Sequence, residues 1–520
     1  MPPSEEMSKV DGDTLPSSQV ENAQGYGSRN PLLHDLDGLT LYEKKCVLIN
    51  REIDAQGMGK YQWYIWGLCG FGYLLDLLWA QAFGLVLGPL QQELGFGDNE
   101  SGNISTSFNA GLTAGAFVWG FLADIIGMML LARLPQQVLY LEIPFLWNKR
   151  FLLACLSVFQ PIGVVLCSAI AFGFIPVYAC SPNFSEPDPL VSCNNVEAGE
   201  TCCSRGDNMG WRYLLFTIGG ITLAVFILRF FVFNFRETPK YLIYRGRDSQ
   251  AIETLQHMAN VNKKQCGLTL ELFDSLQADD SSLGSGNSAT PALGAGTKQL
   301  NMAWSQKAKL ELSRYKMLFS SPKMTRLTVL VWLTYIMDYW GFTVAGNILA
   351  LKNGAASVSL KSTYAAYIYT YAPGIVGVLL GATLYRIPAI GRKWTMVLSA
   401  ALMGISIILF STVDTRAKNE GLFTMEYFFQ SMFNAVLYGW TPEAFPAPIR
   451  GTACGIAGFW GRLFGIVSPL IAQHLYGRTG ENGQGDINSV LYLAGGVMLG
   501  CVITTALLPN DMMESKDERS

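Results

Sequence analysis

Three ionisable side chains stand near the middle of otherwise apolar stretches: Asp76, Asp338 and Arg462. A charge at the centre of a bilayer costs about 2.5–3.5 kcal/mol on insertion scales, so a residue of this kind faces a hydrated cavity or a partner of opposite charge. Two chemistries follow. A carboxyl group taken out of water favours its neutral form, so Asp76 or Asp338 could take up and release a proton as a solute passes. In the competing reading, an aspartate and Arg462 form a fixed pair that only holds helices together. Enzyme chemistry has no obvious carrier. The only histidines, His34, His257 and His474, fall in a tail, a linker and a helix end, and no H-E-x-x-H, G-x-S-x-G or G-x-x-x-x-G-K-[ST] string occurs. The 11 cysteines show no metal-ligand spacing, so neither a metal nor a cofactor is expected.

The elements around these residues follow from composition. Half of the 520 residues are apolar and only 15% are charged, against about 25% in an ordinary soluble domain; mean hydropathy is +0.25. The charges are also unevenly spread. None occurs from Leu77 to Gln92, Phe151 to Cys180, Ser362 to Tyr385, Trp394 to Val413, Tyr427 to Thr441 or Ile487 to Asn510. About 20 apolar residues in a helix cross the hydrocarbon core. The expected fold is an all-α, polytopic membrane helix bundle with about 10 spans: Tyr64 to Leu90, Ser105 to Gly127, Phe151 to Tyr178, Tyr213 to Phe233, Leu327 to Leu349, Ser362 to Tyr385, Trp394 to Val413, Phe423 to Trp440, Thr452 to Leu475 and Ile487 to Leu508. A net charge of −3 without a basic stripe argues against a nucleic-acid partner. The expected partners are a small-molecule solute, protons and the lipid bilayer, with the chain acting as a monomer.

Lys and Arg in short loops set the orientation. With the N-terminus in the cytoplasm, Arg133, Lys149, Arg150, Arg386, Arg392, Lys393 and Arg450 fall inside, and both termini are cytoplasmic. The polar start of the chain shows no charged-then-apolar leader, so no cleavable signal is expected. The loop from Cys180 to Gly210 is then outside, where disulfides persist. Its Cys180, Cys193, Cys202 and Cys203 are disulfide candidates, and Asn183 in Asn183-Phe184-Ser185 is a glycosylation candidate. The division read from the chain is a cytoplasmic tail (1–62), an N-terminal transmembrane half of four spans (63–235), a cytoplasmic linker (236–325), a C-terminal half of six spans (326–510) and a short tail (511–520). A helix is expected from Thr40 to Ile53, amphipathic helices at Ser249 to Val261 and Lys307 to Phe319, and flexible chain from Gln277 to Gln299.

An internal repeat supports two related halves. Tyr73-Leu-Leu-Asp76 matches Tyr335-Ile-Met-Asp338 at an offset of 262, and the glycine opening GFLADIIG at Gly120 matches Gly381 of GATLYRIPAIGRK at 261. Arg150 and Arg450, each opening a span, stand 300 apart. The first half is therefore about 38 residues short, roughly two helices and a turn. An exon-skipped product or a faulty gene model accounts for such a loss, and a genuine ten-span protein is the alternative.

Several strings resemble the major facilitator superfamily, in particular its sugar-porter and synaptic-vesicle-protein-related fungal branches. GFLADIIG, from Gly120 to Gly127, is similar to the loop motif after that family's second helix, and IGRK, from Ile390 to Lys393, to its counterpart in the second half. RETPKYL, from Arg236 to Leu242, resembles the string after the sixth helix. TPEAFPAPIRGTACG, from Thr441 to Gly455, resembles the signature leading into the eleventh, and Gly57 to Trp79 resembles the opening of fungal members. The resemblance implies 12 helices in two pseudo-symmetric halves, alternating access, and a gate at the cytoplasmic ends. Gly120, Asp124, Gly391, Arg392, Lys393, Glu443 and Arg450 are the candidates for that gate, with Glu443 and Arg450 as one ion pair. Met128 and Met129 stand where the motif has a basic pair, and the third and fourth helices have no counterpart. The implied activity is secondary transport of a sugar or organic acid, with proton symport, at the plasma membrane or else a vacuole or vesicle. A non-transporting nutrient receptor or an inactive shortened isoform is the alternative.

Overall fold

The computed structural model describes residues 41–96, 154–232, 238–282, 315–353, 359–445, 449–476 and 487–509 apart from a few single positions, with Leu152 and scattered residues between 106 and 115. Most of the second expected span, with Gly120, Asp124, Met128 and Met129, lies outside them, as do Thr40 of the expected first cap and most of the helix expected from Lys307 to Phe319.

The N-terminal part contains α1 (Leu41–Gln56), α2 (Lys60–Leu94), a 3-10 turn (Leu156–Val158) continuing into α3 (Phe159–Phe174), and α4 (Gly210–Val232). The helix α2 is 35 residues long, about 50 Å at 1.5 Å per residue, and stops where Gly95 turns left-handed (φ 73°) and its N–H closes on the Gln91 carbonyl. Three short helices follow: α5 (Pro239–Tyr244), α6 (Asp248–Val261) and α7 (Leu270–Ser282). The expected helix at Ser249 to Val261 is present. The stretch read as flexible from Gln277 is helical as far as Ser282, because Leu272, Phe273 and Leu276 bury one face of α7 and carry its last turn.

The C-terminal part consists of α8 (Pro322–Asn353), α9 (Leu360–Tyr371), α10 (Pro373–Leu384), α11 (Gly391–Leu409), α12 (Arg416–Ala444), α13 (Arg450–Tyr476) and α14 (Ile487–Ala506). The sequence reads Ser362 to Tyr385 as one span. The structure keeps one span there, Leu360–Leu384, with a break in its helix at Ala372, because Pro373 has no N–H to continue the ladder and starts α10 instead. Side chains cap the entries of two helices: Ser359 accepts from the Ser362 N–H, and Thr415 from that of Lys418. That cap also starts α12 seven residues before the expected Phe423.

Among the described residues seven helical segments are long and apolar enough to cross a membrane. Their outer faces carry large apolar groups in the open, such as Phe216 (71% exposed), Ile503 (62%) and Val376 (58%). A hydrocarbon surround removes the cost of that exposure.

Three large cores hold the helices, beside a small cluster of Ala154, Cys155 and Ala382. The largest joins α8, α11, α12, α13 and α14 around Trp440, Phe433, Met403 and Met498. A second joins α2, α3 and α4, and it includes Leu360 and Tyr364 from α9. The third lies apart and packs α1 onto α5, α6 and α7 around Ile49, Leu255 and Phe273. There the Lys45 ammonium, almost fully buried, meets Asp248 at 2.5 Å and lies over the Phe273 ring. The N-terminal helix and the linker helices thus form one small unit, attached to the start of α2 by Asn262, which accepts the Tyr61 N–H at 3.0 Å.

Close helix contacts use glycine where the sequence spaces it by three or four residues. A Cβ on Gly381 would lie 2.9 Å from the Met432 carbonyl, and one on Gly374 2.8 Å from the Ser431 hydroxyl, so α10 seats directly on the α12 backbone. The same spacing at Gly111 faces nothing within 4 Å.

Candidate functional site

Asp76, at the middle of α2, projects toward α13, where its Oδ1 lies 3.7 Å from the Arg462 guanidinium. Arg462 is nearly buried and Asp76 is 22% exposed. The pair therefore joins a helix from the first half of the chain to one from the second. Tyr339 and Tyr438 stand beside Arg462, their hydroxyls 3.4 Å apart. The two repeat tyrosines converge here. The Tyr73 ring lies 6.5 Å from Tyr438, and Tyr335 lies 5.8 Å from the same ring. Tyr335 is fixed in turn by donating to Thr441 Oγ1 at 3.2 Å.

The repeat aspartates, by contrast, part company. Asp338 is 2% exposed, and its Oδ1 has no hydrogen-bond partner. Another carboxyl group, Glu426 on α12, lies within electrostatic reach of Asp338. Glu426 is equally buried, and its Oε1 is also unpartnered. Charge-free runs do not mark Glu426, because the run beside it begins at Tyr427. The signal that could have found it is a polar stripe, Glu426, Gln430 and Asn434, recurring every four residues along a helix.

At the opposite end of the bundle from the disulfide loop, Gly391 adopts φ 57° and lets the chain turn from α10 into α11. This turn brings Arg392 Nη2 to 2.9 Å from Glu443 Oε2 at the end of α12. Tyr385 donates to the same oxygen at 3.0 Å, and its ring lies under the Arg392 guanidinium. Glu443 thus takes Arg392, which the tight Gly391 turn delivers to the α12 terminus. Lys393 donates to the Leu508 carbonyl at 3.2 Å, beyond the end of α14, a favourable place for a cation.

The four loop cysteines form two disulfides, Cys180–Cys203 and Cys193–Cys202. Asn183 lies on the loop they close, its amide donating to Glu186 at 2.5 Å. The loop is bolted to the end of α2: Ser192 donates to the Glu93 carbonyl, and Gln92 to the carbonyls of Pro182 and Leu190. The Glu93 carboxylate receives both Arg212 nitrogens, at 2.8 and 2.6 Å, and Trp211 Nε1 at 3.0 Å. Neither Glu93 nor Arg212 stands out in the sequence, because each lies at the edge of an apolar run.

Two indoles of α2 are tied by their N–H groups: Trp66 donates to the Leu152 carbonyl and Trp79 to Thr222. Tyr371 remains close to the carboxylates, with its ring 4.7 Å from Tyr427. Among the described residues no cluster of metal-ligating side chains occurs.

Long apolar helices around internal charged pairs define an integral, multi-pass membrane bundle. Residues 190–515 match the family described as "Sugar (and other) transporter". The chain is 32% identical to "MFS siderochrome iron transporter 1" of Ceriporiopsis subvermispora, over 88% of this chain and 90% of that one. It is 30% identical to "Major facilitator-type transporter hxnZ" of Emericella nidulans, over 83% and 82%. Its fold is similar to that of the proton:xylose symporter XylE, with a TM-score of 0.55 at 13% identity over 85% of this chain and 94% of that one. The chain belongs to the sugar transporter family of the major facilitator superfamily.

Proposed function

We propose that this protein is a secondary carrier that moves a small organic solute by alternating access between its N-terminal and C-terminal helices, with one or both of Asp76 and Asp338 exchanging a proton. The observation that carries the reading is the Asp76–Arg462 contact. It is a charged pair at bilayer depth that spans the two helix sets, where it can form and break as they rock. The Arg392–Glu443 pair acts as a latch at one end of the C-terminal set. Family membership supports carriage but does not choose the cargo: relatives carry names as different as a siderochrome iron transporter and an organic cation/carnitine transporter of Arabidopsis thaliana.

The test is uptake of radiolabelled solutes by cells expressing the full chain, against cells expressing Asp76→Asn. Uptake that the substitution abolishes while surface delivery persists supports the reading. Absence of uptake of every solute tried, or pH-dependent uptake unchanged in the variant, overturns it.

A further inference from the structure

The charges inside the bundle do not balance locally. Arg462 is answered by Asp76, and Arg392 by Glu443. Asp338 and Glu426 remain, 2% exposed each, close enough to repel one another, with no cationic partner among the described residues. One turn beyond Glu426, Gln430 is 4% exposed, and its Oε1 has no partner. One turn further, Asn434 Oδ1 is in the same condition. Buried acceptors are ordinarily satisfied, and removing a carboxylate from water without compensation is costly. Four buried oxygens without a protein partner, from two helices, therefore suit a positive, hydrogen-bond-donating occupant.

The surroundings match such an occupant. Tyr371 and Tyr427 stand beside Glu426, and Tyr438 beside Asp338. Aromatic faces attract a desolvated cation through their quadrupole. A positively charged nitrogen would let both carboxyl groups ionise in place, a compensation that neither an anionic solute nor an uncharged polyol supplies.

We infer that Asp338 on α8 and Glu426 on α12, with Gln430 one turn along α12 from Glu426, form the seat for a positively charged nitrogen, so that the cargo is an organic ammonium compound. The inference rests on the carrier reading for its use of the word cargo, but its site can be tested without transport.

Purified full-length chain in lipid nanodiscs would be titrated with choline, tetramethylammonium and tetraethylammonium, followed by tryptophan fluorescence and thermal shift. The same titration would use 3,3-dimethyl-1-butanol, the uncharged analogue of choline, together with glucose and citrate. The expected result is saturable binding of at least one ammonium compound, with the matched uncharged analogue weaker by at least about tenfold. Glu426→Gln and Asp338→Asn would each weaken the ammonium compound by a similar factor. The wild-type comparison stands even if a variant fails to fold. Equal binding of choline and its analogue, no binding of any of the three ammonium probes, or saturable glucose or citrate binding indifferent to Glu426→Gln would overturn it. Ammonium binding without uptake in cells would sink the carrier reading alone, whereas uptake of a neutral or anionic solute without ammonium binding would sink this one alone.

Discussion

Asp76 on α2 and Arg462 on α13 meet at 3.7 Å across the two helix sets, although 386 residues separate them in the chain. Arg462 has its tyrosine neighbours as well, so losing Asp76 strands a nearly buried guanidinium without removing all its contacts. Breaking a buried pair from one side costs about 3–5 kcal/mol. The 3.7 Å separation and the partial exposure of Asp76 reduce this to about 2 kcal/mol. Asp76→Ala should therefore lower the melting temperature, and Arg462→Gln added to it should restore much of the loss without restoring uptake. A double variant no more stable than Asp76→Ala would show that the pair carries little of the helix contact.

The latch makes a different prediction. Glu443 is held by both Arg392 and Tyr385 at one end of the bundle. Because Glu443 is 30% exposed, each single substitution should cost on the order of 1 kcal/mol or less. It should act more on the balance between conformations than on folding. Glu443→Gln and Arg392→Gln should each increase labelling of a cysteine placed behind the gate and should slow uptake. The exchange Arg392→Glu with Glu443→Arg should recover part of both. Labelling and uptake unmoved by either single variant would remove the latch.

Much of this arrangement can be read from residue order, and the reason for the remainder is physical. The span from Trp394 shows because nothing charged interrupts it, and the Asp248–Val261 helix shows because its apolar residues recur at helical spacing. The equivalence of Asp76 and Asp338 also shows, since a repeated Tyr-x-x-Asp needs no structure to be seen. What residue order does not carry is which aspartate Arg462 chooses. That is settled by how α2 and α8 sit against α13, a matter of packing over hundreds of residues. Glu426 stayed hidden for a related reason. A lone acid at the edge of an apolar run reads as a helix end until the cap at Thr415 places it ten residues inside α12. Pro373 is equally plain in residue order, but an apolar run carries no mark of the N–H that a proline lacks, so the helix break inside the span does not show.

The two disulfides should differ in weight. Cys180–Cys203 closes 23 residues and Cys193–Cys202 only 9. Loop-closure entropy makes the longer link worth about 3 kcal/mol and the shorter one somewhat less. The longer link also gathers Ser192 and Leu190 onto the end of α2. Paired serine substitution at 180 and 203 should lower the melting temperature more than the same change at 193 and 202. The reverse order would mean that the contacts to α2, and not chain closure, hold the loop.

Glycine packing allows a sharper comparison, because one helix face can be set against another. A methyl group on Gly381 would meet the Met432 carbonyl at 2.9 Å, and a backbone oxygen inside α12 cannot swing aside. Gly455, in α13, has nothing within 4 Å of the same position. Gly381→Ala gains helix propensity but must push α10 away from α12, and overpacking of this kind costs about 1–3 kcal/mol. Gly455→Ala gains the propensity without the clash. Thermal unfolding in detergent should place Gly381→Ala below the wild type and Gly455→Ala at or above it. Because α10 seats on the α12 segment next to Glu426 and Gln430, Gly381→Ala should also weaken ligand binding at that stripe, while Gly455→Ala leaves it alone. A stable, fully binding Gly381→Ala protein would mean that α10 and α12 have room between them that this structure does not contain.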